Sequence, residues 1–243
     1  MNPHKLTVQI FLFLILVFSS VQNSFPQGAR GGRPAVVVDE RLAALRRTPQ
    51  LNGALVRRLS RGRLVAIRGS RTTPDGVVFF LVNVTTRTHG WIQREAVATP
   101  SRPGDDRRLL DLIKASQGFD QIVRARLFLD HFPRSPLRPQ VLLLLGNTAE
   151  SQAAELSRDA SRRLNGLIPN ARETSTTAYF TYFLNYSGLD RYNRQRVTFT
   201  FDNTTKRFHY DGAAWRELLR RHPNSPEAPA ARKRLSALAQ LAP

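Results

Sequence analysis

Val77-Val78-Phe79-Phe80-Leu81-Val82-Asn83-Val84 is the longest strand candidate in the chain, and the reading of the fold starts from it. β-Branched and aromatic side chains suit a pleated, extended backbone. The stretch is entered through a turn signal, Pro74-Asp75-Gly76. Upstream lie residues 36–38 (VVV) and 64–67 (LVAI), the latter between Gly62 and Gly69; downstream, Gly90-Trp91-Ile92 begins another candidate. Short strands at intervals of about ten residues, punctuated by Gly and Pro, predict a small barrel or sandwich over residues 35–100.

Side chains alternate faces along a strand. Val78, Phe80, Val82 and Val84 share one face, the expected core of the barrel, whereas Val77, Phe79 and Leu81 share the other. An apolar outer stripe calls for a cover. Two are open: the stripe docks on the C-terminal half of the same chain, or it forms a groove for a ligand or partner.

Past Pro103-Gly104 the period changes from two to that of a helix. Asp105 or Asp106 is the expected cap of a helix carrying Leu109, Leu112 and Ile113; Asp120 is that of the next, with Ile122, Ala125, Phe128, Leu129 and Phe132, stopped by Pro133. Ser135-Pro136 is a start signal for a third helix through Leu142 and Leu145. Ala149, Ala153, Leu156, Ala160 and Leu164 continue its stripe, as the same helix or a separate one after Gly146. An internal repeat is present. FLDHFPRSP at 128–136 aligns with LLRRHPNSP at 218–226, an offset of 90 residues, and Pro139 aligns with Pro229. Between the copies, 197–201 (VTFTF) and 207–210 (RFHY) alternate around Asp202-Asn203, which predicts an inserted β-hairpin.

Two resemblances follow from these residues. Ala44-Leu45-Arg46, Pro49, Val56, Leu59, Gly62 before a β-branched strand, Gly90-Trp91-Ile92 and Ala96-Val97 resemble the bacterial SH3-like domain over about 36–99. The family often carries a Trp in its central strand; this chain has none there. The Pro/Ser-Pro turn resembles the one between helix pairs of tetratricopeptide-like periplasmic proteins, such as the outer-membrane assembly and cell-division coordinator families. A strict array of that kind repeats every ~34 residues, and 90 is not a multiple, so the array here is irregular or interrupted. The expected fold class is α+β multidomain: an SH3-like β-barrel at 35–100 and a helical tetratricopeptide-like region with an inserted hairpin at 105–243.

Ahead of these modules, Lys5 is followed by the apolar run 10–18 (IFLFLILVF) and then a polar stretch, the order of a secretory signal over 1–24 with a linker at 25–34. Nine apolar residues are short of the ~20 that span a bilayer, but no Ala-x-Ala cleavage pattern follows, so an uncleaved anchor starting near Leu6 stays open. The expected location is periplasmic or secreted, with membrane contact only if the segment is uncleaved. The chain has no cysteine, which excludes disulfides, thiolate metal sites and a Cys nucleophile.

The formal charge is +19, almost all of it from Arg. Anionic partners are one explanation and compositional bias another. No Gly-x-Ser-x-Gly elbow, dinucleotide fingerprint or phosphate loop is present, and His4, His89, His131, His209 and His222 form no metal-ligand spacing. His131 and His222 fall near the same helix end in the two repeats, where interaction with the helix C-terminus is expected. Tyr179, Tyr182, Phe183 and Tyr186 share a helical face, as core or as a binding surface, with Phe180 off it. No catalytic residue, metal or cofactor is expected. The expected ligand site combines Trp91 and Phe79 with Arg57, Arg58, Arg61, Arg63 and Arg87, the alternative being that Trp91 is core and the arginines are solvated. The resemblances imply a non-enzymatic envelope scaffold binding a cell-wall polymer or envelope protein. A peptidoglycan-remodelling component is the alternative, and a nucleic-acid binder a second; nucleic acid is not expected as a partner.

Overall fold

The computed structural model describes residues 31–167, 188–202 and 204–240, with side chains up to 163 in the first segment. The expected signal peptide, most of the linker and the aromatic group at 179–186 lie outside the described residues. The N-terminal half is one antiparallel sheet: β1 (Arg33–Val37), β2 (Ala44–Arg46), β3 (Leu55–Arg58), β4 (Leu64–Thr72), β5 (Val78–Asn83), β6 (His89–Gln93) and, after a 3-10 turn at Arg94–Ala96, β7 (Val97–Ala98). Its order is β3-β2-β6-β5-β4-β1-β7. The barrel expected from the strand spacing is therefore corrected to an open sheet, because β3 and β7 stand at opposite ends and do not pair. The sheet nevertheless curls over a core of its own, including Val37, Leu45, Val65, Ile67, Phe80, Val82 and Ile92. The Pro74-Asp75-Gly76 signal forms the β4–β5 turn, where the amide of Gly76 donates to Thr73 O at 2.9 Å. Gly90 lets β6 lie close to β2: a Cβ there would stand 2.6 Å from Arg46 O.

The C-terminal half is helical. It comprises α1 (Asp105–Lys114), α2 (Gly118–His131), α3 (Arg138–Leu167), α4 (Gly188–Arg194), α5 (Ala213–Arg221) and α6 (Ala228–Ala239), with a hairpin of β8 (Phe199–Asp202) and β9 (Arg207–Tyr210) where alternation predicts it. α3 is one continuous helix of 30 residues. Gly146 does not interrupt it; the glycine makes room for Trp215, whose Nε1 would lie 2.3 Å from an added Cβ. The predicted stripe Leu142, Leu145, Ala149, Ala153, Leu156 and Ala160 is buried along it. The hairpin is tied to this spine by its backbone. Phe208 N–H donates to Ser157 Oγ at 2.8 Å and Tyr210 N–H to a Glu150 carboxylate oxygen at 2.7 Å.

The internal repeat is real at the level of single hydrogen bonds. Phe132 N–H donates to Phe128 O (2.8 Å), Ser135 N–H to Phe132 O and Arg138 N–H to Ser135 O (both 3.3 Å). Ninety residues later His222 N–H donates to Leu218 O (2.7 Å), Ser225 N–H to His222 O (3.1 Å) and Ala228 N–H to Ser225 O (3.0 Å). Several finer expectations are corrected. Gly104 and Gln117, not Asp105, Asp106 or Asp120, precede α1 and α2 at the cap position, with no side-chain cap bond. Asp105 is instead buried and accepts from Thr99 N–H at 2.9 Å. His131 does close α2, as its spacing predicts, but burial pushes its pKa down, which weakens it as a cation there.

One wall joins the two halves. Ala35 and Val37 of β1 point into the sheet core, whereas Val36 and Val38, with Ala98 of β7, point into the helical core beside Leu109, Ile113 and Phe128. The apolar run at 36–38 is thus buried on both faces, as a strand between two layers must be. The stripe of Val77, Phe79 and Leu81, for which docking on the helices is one of the two covers open from the sequence, takes no part in the helical core.

Candidate functional site

The outer face of the sheet is set by register. Because Phe80, Val82 and Ile92 turn inward, Phe79, Leu81, Trp91 and Gln93 turn outward. Trp91 lies opposite Leu81 on one side and Arg46 on the other, and Arg46 lies opposite Leu55. One row across four strands therefore reads Leu55, Arg46, Trp91, Leu81. In the neighbouring row Phe79 lies between Arg71 and Gln93.

At the end of this face an open pocket of about 740 Å³ forms between the β2–β3 loop, residues 48–52, and the β4–β5 turn. Arg71, Pro74, Asp75, Asn52 and Leu51 line it, and Phe79 closes its inner end. The loop is held from below by Arg46, whose Nη1 donates to Gly53 O at 2.8 Å. Arg71 is exposed and forms no ion pair among the described residues. Such a pocket offers apolar contact, amide and hydroxyl hydrogen bonds, one fork-shaped cation in Arg71 and one carboxylate in Asp75. That suits a carboxylate- or phosphate-bearing ligand with an apolar part.

The structure scatters the predicted site residues and does not bring them together. Trp91 is half-buried in the middle of the outer face. Phe79 is 0 % exposed, so it supports the pocket and presents no ring to a ligand, a correction that follows from the loop and turn closing over it. Arg57 and Arg58 stand exposed on β3, and Arg87 on the β5–β6 turn. Arg63 is exposed just after the β3–β4 turn. Arg61 is not available: its side chain is 11 % exposed, pairs with Asp120 of α2 at 2.9 Å and with Glu40 at 3.2 Å, and so ties the sheet to the helices. That hydrogen bond from Arg61 holds the Asp120 carboxyl below its ordinary pKa. Nearby, a hydrogen bond from Arg41 does the same for Asp39.

The chain matches no family model, no curated protein and no solved structure.

Arg71 and the loop 48–52 were missed by the sequence argument. The signal that could have found them is the alternation itself, which puts Arg71 on the same face as Gly69 next to an outward Phe79 once the hairpin register is known. A second pocket, of about 620 Å³, lies where the 100–104 connection meets the α2–α3 turn and is lined by Arg102, Asp106, His131 and Arg134. There Ser135 Oγ donates to Asp106 at 2.7 Å, and Asp105 is 3.6 Å from Arg102, so much of its polar lining is engaged in holding the turn. Among the described residues no group of His, Cys, Asp and Glu is placed to hold a metal ion, and no helix is long and apolar enough to cross a membrane.

Proposed function

We propose that this protein is an exported, non-enzymatic binding and scaffold protein of the bacterial cell envelope. The sheet half is the ligand-binding module, SH3-like in type, and takes an anionic part of a cell-wall polymer or envelope protein at the pocket between the β2–β3 loop and the β4–β5 turn. The helical half is a tetratricopeptide-like scaffold that mediates protein contacts. The observation that carries this reading is the pocket: an unpaired Arg71 set beside apolar and amide groups at the end of a face that also presents Trp91. The helix-turn-helix that recurs after 90 residues with the same hydrogen bonds supports the scaffold role. The apolar run behind Lys5 supports export.

The test is sedimentation with purified cell-wall sacculi. Arg71→Ala is expected to weaken co-sedimentation about tenfold while the melting temperature stays within a degree or two, as for an exposed charge. Added salt should weaken wild-type binding in the same direction. Wild-type binding by Arg71→Ala, or binding indifferent to salt, overturns the pocket as the site.

A further inference from the structure

The two ends of the sheet are finished differently, and one of them is open. At the β7 end the backbone is used up: Arg108 of α1 donates to Glu95 O at 2.9 Å and to Val97 O, and Thr99 N–H donates to Asp105. At the other end β3 is hydrogen-bonded to β2 alone, and all four of its residues are exposed. Leu59 N–H donates inward to Ala43 O at 2.9 Å. Antiparallel strands alternate the direction of their polar groups, so the N–H and C=O of Arg58 face outward. Such an edge is a template for a further strand.

The side chains around the edge say what kind of strand fits. Leu51, Leu55 and Val56 are the large hydrophobics that stand exposed among the described residues, at 51 %, 51 % and 41 %, and all three flank this edge. Arg47, Arg57 and Arg58 are exposed beside them and form no ion pair among the described residues. Residues opposite on β2 are Leu45 against Arg57 and Ala44 against Arg58, so no acid neutralises them across the strand. A second copy of this chain would bring the same arginines against each other, and like charges directly opposite are destabilising. An alternating acidic strand would set carboxylates on the outer face beside Arg58, with its apolar residues on the face that Arg57 shares with Leu45. The register shift between Leu45 and Arg46 leaves Val56 as an extra, unpaired residue on β3, a bulge that bends the start of the edge and leaves Arg58 as the anchor for pairing.

We propose that β3 accepts an extended, acidic segment of a partner protein as an added strand. The surface lies on the edge of the sheet, not in the Arg71 pocket, and does not depend on that pocket being filled.

The experiment is fluorescence anisotropy with the full chain and a short labelled peptide alternating valine and glutamate. The chain should bind it and not a peptide alternating valine and lysine. N-methylation at alternate residues of the valine–glutamate peptide should abolish binding, because it removes strand hydrogen bonds and leaves the charge. Arg57→Glu/Arg58→Glu should lower affinity by about tenfold or more. The same double variant should gain binding to the valine–lysine peptide, which also shows that it is folded. Arg71→Ala should leave peptide binding unchanged. Equal binding of the N-methylated peptide would make the contact purely ionic and overturn strand addition. Absence of binding to the unmodified peptide overturns it as well. So does a wild-type dimer in sedimentation that the double reversal dissociates, which would assign the edge to a second copy.

Discussion

The β1/β7 wall and the β3 edge belong to the same sheet, yet they are built on opposite terms. β1 buries Val37 on one face and Val36 on the other, and β7 does the same with Val97 and Ala98. β3 buries nothing and displays Leu55, Val56, Arg57 and Arg58 to water. The composition of the two stretches does not explain this, since both carry branched apolar residues. The difference is that α1 and α2 arrive on one end only. What decides whether a strand is an interior wall or an available edge is the layer placed beside it.

The comparison can be broken at its strongest point first. Leu109→Ala removes a side chain that packs on the wall and is fully buried, so chemical denaturation should show a loss of about 2–5 kcal/mol. Leu55→Ala at the edge should cost no more than about 0.5 kcal/mol. Comparable losses at the two ends would mean that β3 is covered in solution and would refute the contrast.

Next in size is the ionic tie between the halves. Arg61→Ala leaves Asp120 and Glu40 without their partner, and both carboxylates are more than half exposed, so the expected loss is about 1 kcal/mol after screening. The pH dependence has a definite sign. Asp39 and Asp120 have folded pKa values below the ordinary 3.8, lowered chiefly by hydrogen bonds from Arg41 and Arg61. Their contribution is fully present above pH 3.8 and is lost as pH falls through the lower folded values. Stability measured from pH 6 downward should therefore fall in the acid range, and Asp120→Asn should flatten part of that fall. An unchanged acid limb in Asp120→Asn would show that the tie contributes nothing.

The smallest effect is expected at the edge cations. Arg57→Ala/Arg58→Ala should stay within about 0.5 kcal/mol of wild type, since neither makes an ion pair among the described residues. A clear gain in stability there would sharpen the contrast, as relief of mutual repulsion on an open edge.

Much of the architecture could be read from periodicity. Val78, Phe80, Val82 and Val84 were separable from Val77, Phe79 and Leu81 by alternation, and the inward four do lie in or against the sheet core. The FPRSP and HPNSP turns were visible as a repeat because Pro and Ser impose a local geometry that needs no distant partner. The hairpin at 199–210 was visible for the same reason: alternation on either side of a polar turn is a local property.

The site was less legible. Trp91 and the arginines were recognisable as the residue types that bind anions, but Arg61 became a tie between the halves because Asp120 of α2 reaches it. Phe79 became a support because a loop and a turn close over it. Gly146 looked like a possible break until Trp215, 69 residues away, was found lying on it. The sequence by itself determined most of the longer strands and helices and which of their faces are apolar, since those follow from spacing along the chain; the short β3 and α4 carry no such period. Only the tertiary structure decided which apolar face met the other layer, which arginine found an acid, and which strand was left as the edge. Those outcomes depend on contacts between residues far apart in the chain, and local spacing carries no information about them.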